Sequence, residues 1–199
     1  IPKNFKFKLE KLTNNFSWKQ NFYNENNNLG NFQYNNSGEF ILKSKKLSRH
    51  KINNILFSDN LFISSDNRGN IITYSPNSEI LREYNFYKKK YKNLKKTLNL
   101  IIKDNIVYVT DNIGYLYAFD FKEQKVIWAK NYKIPFRSNL KIFNDKLIAS
   151  NQNNNLYFFD IKTGDILRLI PTDERLVVNQ FKSSLSINQK ILFFLNTYG

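Results

Sequence analysis

Ile102-Lys-Asp-Asn-Ile-Val-Tyr-Val-Thr-Asp-Asn-Ile-Gly114-Tyr-Leu-Tyr-Ala-Phe-Asp120 decides the fold, because the same passage occurs twice more and is begun a fourth time. The other copies start at Leu56 and Phe143, and the last starts at Ile187. Their common turn position falls at Gly69, Gly114, Asn154 and Gly199, so the intervals are 45, 40 and 45 residues. Each copy keeps one internal order. In the second it is an apolar run (105–110), a turn (Asp111 to Gly114), an alternating run (115–119), a polar turn (120–125) and another apolar stretch (126–129). Short β-branched and aromatic runs bounded by Asp, Asn and Gly read as hairpin strands.

The turns carry their own chemistry. Aspartate accepts hydrogen bonds from the backbone just ahead of it, and glycine accepts positive φ without steric cost. Asp66 with Gly69, Asp111 with Gly114, and Asn151 with Asn154 are therefore expected to be equivalent reversals, and Gly164 a later one in the third copy. A sheet of four short strands has two apolar faces and cannot bury both alone. Stacking such sheets radially buries them, and a period of roughly 40–45 residues of short strands is the mark of β-propeller blades. The expected fold is all-β, a partial propeller of four-stranded blades. The abundant Tyr and Phe are most simply the packing between blades.

Residues 1–49 depart from the period. They read as an extended, polar lead-in, with Glu39 to Lys46 placed where the strand completing a ring's last blade would fall. Residues 50–199 hold three full blades and the start of a fourth, so the expectation is a fragment of a closed ring. No stretch approaches the ~18–20 apolar residues of a membrane span. Absence of cysteine removes disulfides, thiolate metal sites and a cysteine nucleophile.

The formal net charge of +15 raises nucleic acid as a partner, yet only six of the 31 basic residues are Arg. Lys, Asn and Ile are enriched together, which reads as a base-composition bias of the gene, with lysines spread over solvated loops. One true cluster remains, Lys88-Lys-Lys-Tyr-Lys-Asn-Leu-Lys-Lys96, either a solvated loop or a seat for a polyanion or an anionic membrane face. Nucleic acid is not the expected partner.

Two segments carry a family resemblance: Gly114-Tyr-Leu-Tyr-Ala-Phe-Asp120 followed by Trp128, and Leu156-Tyr-Phe-Phe-Asp160-Ile-Lys-Thr-Gly164. They resemble the pyrroloquinoline-quinone-type propeller repeat, with its Leu-Tyr-Ala-Leu-Asp strand, Thr-Gly turn and Trp-bearing last strand. The first and third repeats have Arg82 and Arg168 near the Trp position, so Trp128 is expected to pack between blades. The order of segments looks most like the BamB family of outer-membrane-protein assembly lipoproteins. The features are Trp18-Lys-Gln with Leu29-Gly-Asn, Ile134-Pro-Phe-Arg-Ser138, and the long loop Pro171 to Phe181.

That resemblance implies an eight-bladed propeller at the periplasmic face of the bacterial outer membrane, lipid-anchored in the full-length protein. It also implies a scaffold role in β-barrel assembly, bound to the periplasmic domains of the central barrel subunit BamA, with nascent outer-membrane strands as further partners. The family's partner loop falls here on Leu176, Val177, Val178, Asn179 and Gln180, where Gln180 replaces an arginine.

Other propellers of this repeat type are quinone-dependent dehydrogenases, which makes a dehydrogenase fragment the alternative, with polyanion binding through the lysine run as a third. Against catalysis, Asp59, Asp66, Asp104, Asp111, Asp120, Asp145 and Asp160 all recur at turns, where capping accounts for them. His50 is the single histidine and has no partner base or nucleophile in its Ser-Arg-His-Lys context. No phosphate-binding glycine motif occurs. The expectation is a non-enzymatic scaffold without cofactor or metal.

Overall fold

The computed structural model describes residues 11–33, 48–77, 79–172 and 182–197. Alternating apolar runs and Asp/Asn turns give three antiparallel sheets of four strands and one hairpin. The first sheet is β1 (Ile52–Ser58), β2 (Leu61–Asp66), β3 (Asn70–Tyr74) and β4 (Ile80–Asn85). The second is β5 (Leu98–Lys103), β6 (Ile106–Asp111), β7 (Tyr115–Asp120) and β8 (Lys125–Asn131). The third is β9 (Lys141–Phe143), β10 (Lys146–Ser150), β11 (Leu156–Asp160) and β12 (Ile166–Ile170), followed by the hairpin β13 (Ser184–Asn188) and β14 (Ile191–Leu195). Within each sheet the strands lie in chain order. Among the described residues the only helix is a single 3-10 turn, Lys89–Tyr91.

Strand alternation explains how the sheets stack. On β6, Val107 and Val109 join Leu56, Ile63 and Ile71 of the first sheet in one core. Tyr108, the residue between them, points the other way and joins Leu147, Ala149 and Phe159 of the third sheet. On β10, Ile148 in turn meets Leu185 and Ile187 of the hairpin. Successive side chains on one strand therefore serve two different interfaces, which is the period-2 rule applied to a sheet covered on both faces. Aromatic rings thicken the contacts: Tyr84 stacks on Phe119 at 4.5 Å and Phe86 on Tyr117 at 4.4 Å. The chain is a partial β-propeller.

The Asp-rich turns divide into two kinds. Asp66, Asp111, Asp120 and Asp160 accept backbone N–H groups two to four residues ahead. Asp59, Asp104 and Asp145 instead stand at positive φ in the hairpins between the first and second strands of each sheet. Asp59-Asn60 and Asn144-Asp145 have both central residues left-handed, the geometry that matches strand twist in a two-residue hairpin. Capping thus accounts for four of the seven aspartates, and tolerance of the left-handed region for the other three.

One irregularity repeats. The register slips between the third and fourth strands at Thr73/Tyr74, Ala118/Phe119 and Phe158/Phe159. The residues opposite those slips are Leu81, Ile127 and Leu167, each about half exposed on an outermost strand. A bulge at a sheet edge twists the strand and interrupts its free hydrogen-bonding row.

Candidate interaction surfaces

Two loop ends flank this stack. One holds the turns between second and third strands together with the connectors from one sheet to the next. In the second sheet, Asp111 Oδ1 accepts from the amides of Ile113, Gly114 and Tyr115, each at 2.8 Å, and Oδ2 accepts from the Tyr87 hydroxyl. Burial pushes the Asp111 carboxyl up, and these hydrogen bonds partly offset that. In the first sheet Asp66 takes the amides of Arg68 and Asn70. In the third, Asn151 Oδ1 takes those of Asn153 and Asn155, while its Nδ2 donates to Tyr157. Gly69, Gly114 and Asn154 all have positive φ at the same place in these turns.

Trp128 pairs with Ala118 on β8, and Arg82 and Arg168 pair with Thr73 and Phe158 at the corresponding places. The Trp128 indole donates to the Ile161 carbonyl across the interface. Its ring lies over Gly164, whose φ is +76° and where an added Cβ would come within 2.5 Å of the ring. Gly164 is thus required by conformation and by the neighbouring sheet together. The five residues Leu176, Val177, Val178, Asn179 and Gln180 fall in the connector between β12 and β13 and lie outside the described residues, as does Gly199.

Lys88–Lys96 forms the connector between the first and second sheets, and it is built rather than merely solvated. Lys96 is 2% exposed. Its ammonium donates to the carbonyls of Tyr91 at 2.6 Å and Leu94 at 3.0 Å, and sits 4.9 Å from the Tyr87 ring centroid. Arg68 Nη1 reaches the Lys92 carbonyl, and Asn112 Nδ2 the Lys95 carbonyl. The loop is wound around its own buried lysine.

The opposite end holds a feature absent from the repeat. Residues 18–27 cross the free edges of all four innermost strands. Trp18 exchanges two 2.8 Å backbone hydrogen bonds with Phe57 of β1. The Ile102 amide of β5 donates to the Lys19 carbonyl, and Ile187 of β13 donates to the Glu25 carbonyl. At β9 the link is a side chain: Lys141 Nζ donates to Gln20 Oε1 and to the Asn24 carbonyl, each at 2.8 Å. Asn27 Nδ2 donates to the Leu185 carbonyl. Residues 18–27 of the lead-in form a strap across the inner rim.

Sequence reasoning gave no role to Lys141, although a signal was present. Counting back and forward from Ile101 by the repeat intervals puts Leu56 and Lys141 at one position, an ammonium where the others are apolar. Lys141 is fully buried. Burial pushes its ammonium down to about 8, with Glu25 acting in the opposite sense. An unfolded lysine titrates near ~10.4. Between those values the unfolded chain holds a proton that the folded chain has released, so folding stability should rise with pH. The measurement is the urea midpoint at pH 8 and again about one unit higher, below the titration of the tyrosines near ~10. The rise should be clearly smaller in Lys141→Met, with Lys96 supplying part of what remains, and equal rises in both proteins would refute this assignment.

Among the described residues no group of three or more His, Asp or Glu side chains is arranged to hold a metal ion. Among the same residues no helix is long and apolar enough to cross a membrane.

No protein-family model matches the chain, and no curated protein matches it by sequence. Solved structures do match in shape. The computationally designed Ika4 protein superposes with TM-score 0.64 at 18% identity, covering 81% of this chain and 94% of Ika4. The C-terminal WD40 domain of Sif2 gives 0.55 at 12% identity over 70% of this chain and 40% of that one. BamB from Moraxella catarrhalis gives 0.51 at 16% identity over 60% of this chain. The chain spans only 35% of the length of that BamB. At these identities the likeness is one of fold, a propeller-type stack of sheets.

Proposed function

We propose that the protein is a non-catalytic scaffold whose connector face holds a protein partner, and that its setting is outer-membrane protein assembly at the periplasmic face of that membrane. The observation that carries the scaffold reading is where the candidate chemical groups are spent. The buried carboxylates Asp66 and Asp111 are occupied by backbone amides, and the buried Lys141 by the lead-in. What remains outward is loops on a rigid stack, and a rigid platform lowers the ordering cost of binding. Half-exposed aliphatics on the outermost strands (Ile80, Leu81, Ile127, Leu167, Leu169) offer a second, apolar contact, with edge pairing to an extended strand confined to the stretches on either side of the bulges.

The more specific setting rests on the fold shared with BamB together with the sequence resemblance. By that resemblance the partner is the periplasmic domain array of the barrel subunit BamA, bound through Leu176, Val177, Val178, Asn179 and Gln180. A pull-down with those domains should retain the protein. Leu176→Glu with Val178→Glu should weaken retention about tenfold or more, since both place charge in an apolar contact. Equal retention by the variant would remove the loop assignment, and no retention of either protein would remove the barrel-assembly setting.

A further inference from the structure

Between the first and second sheets, on the connector end, lies a cleft of about 610 Å³ lined by His50, Arg68, Lys89, Lys92, Lys96 and the polar groups around them. Among the described residues no carboxylate lines it. The nearest ones, Asp66 and Asp111, are fully buried beneath the turns, and their oxygens are taken by backbone amides, Ser48, Asn70 and Tyr87. The ion pairs among the described residues lie elsewhere, at Lys103–Asp145, Lys122–Asp59 and Lys130–Asp165. Arg68, Lys89, Lys92 and Lys96 therefore converge with no ion pair to any of them among the described residues, and the buried Asp66 and Asp111 act on Lys96 only through space.

Two of them are also held in place. Arg68 is fixed through Nη1 to the Lys92 carbonyl, Lys96 is wrapped by its loop, and the Lys96 amide donates to the Asn67 carbonyl. Flexible lysines would spread apart to relieve their repulsion. Here the 3-10 turn and the Asp66 turn bring the backbones of Lys89, Lys92 and Arg68 to one cleft, and gathering like charges costs free energy that a bound anion would offset.

We propose that this cleft binds a phosphate-group anion, with Arg68, Lys89 and Lys92 as its direct donors and buried Lys96 as the fixed charge at its base. The chemistry selects phosphate over a single carboxylate. A terminal phosphate brings close to two negative charges and three acceptor oxygens, matching a guanidinium fork with several ammonium groups. The lining offers no apolar pocket beyond the Tyr87 ring to seat a peptide side chain. Desolvation and the neighbouring Arg68 push the Lys96 ammonium down, Asp111 and Asp66 act in the opposite sense without cancelling them, and a bound anion would add to the latter. The anion can be free, as in an oligophosphate, or the headgroup of a lipid.

Calorimetric titration with inorganic pyrophosphate separates this from a solvated loop. Saturable binding at one anion per chain is expected, weakening steeply as salt is raised, since screening shortens to ~8 Å near physiological ionic strength. Arg68→Gln with Lys92→Gln should lower affinity about tenfold or more. Lys89→Gln, whose side chain supports no part of the loop, should lower it severalfold and leave thermal unfolding unchanged. Lys146→Gln with Lys190→Gln removes the same charge from exposed hairpins at the other end, and should change affinity little.

Vesicles of phosphatidylcholine with and without phosphatidic acid assign the source. Partition onto the phosphatidic acid vesicles identifies a headgroup, and pyrophosphate binding without partition identifies a free anion. The proposal is overturned if pyrophosphate gives no saturable heat, or if the distant pair of substitutions costs as much as the cleft pair. Retention of a single-stranded oligonucleotide without any response to pyrophosphate would overturn it too.

Discussion

Asp111→Ala should lose about 3–5 kcal/mol of folding stability, read as a fall in the urea midpoint with unchanged slope. The estimate follows from what the carboxylate does. Three backbone amides and the Tyr87 hydroxyl converge on it in a site with no water access. Alanine leaves those donors without an acceptor, and each buried unpaired group costs roughly 1–3 kcal/mol. Asp111→Asn is the informative companion. Its Oδ1 can keep the three amides, while its Nδ2 turns toward Tyr87 as a donor. The third sheet already uses that arrangement, with Asn151 donating to Tyr157. Asparagine also removes a charge that burial disfavours, so its cost should stay near ~1 kcal/mol. Equal losses for alanine and asparagine would show that the turn is not held by this acceptor.

Gly114→Ala should be similarly severe, at about 3 kcal/mol or more by denaturant unfolding. Its φ is +104°, and a Cβ there would lie 2.8 Å from the Ile134 amide nitrogen and 2.9 Å from that of Lys133. Both obstacles are backbone, in the connector that the Gly114 carbonyl itself anchors through the Tyr132 amide. Asn154 shows that the equivalent turn accepts a side chain where φ is +60°. Gly114→Asn therefore discriminates. If conformation alone mattered, asparagine would be tolerated, whereas the steric account requires it to be at least as damaging as alanine.

The sheets were legible in the sequence because their causes are local. A strand of alternating residues, an Asp acceptor and a left-handed residue three positions on are all within one glance of Asp111. The repeat interval then multiplied a modest signal threefold. The Arg82 and Arg168 positions opposite Trp128 could be aligned for the same reason.

What was illegible depends on distance along the chain or on a loop folding upon itself. Trp18, Gln20 and Asn24 look like any polar lead-in, and their partners are Phe57, Lys141 and the inner strand edges. No pattern within a short window announces such bonds. In sequence the lysine run reads first as a solvated loop, with a seat for anions as the lesser reading. The difference lies in Lys96 turning inward to satisfy two carbonyls of its own loop, a choice that composition does not encode. The proposed partner loop at 176–180 rests on resemblance alone.

The strap across the inner rim sets an order of events during biosynthesis. Gln20 is separated by 121 residues from the ammonium it receives, and Asn27 by 158 from its acceptor at Leu185. The earliest part of this chain to leave the ribosome is thus among the last to find its place. Loop-closure entropy across such separations is repaid only once the intervening sheets exist. The strap can engage β1, β5 and β9 in turn as residues 57, 102 and 141 are added, but its links to Leu185 and Ile187 wait for the last hairpin, and until then a growing chain presents open strands to whatever else is nearby.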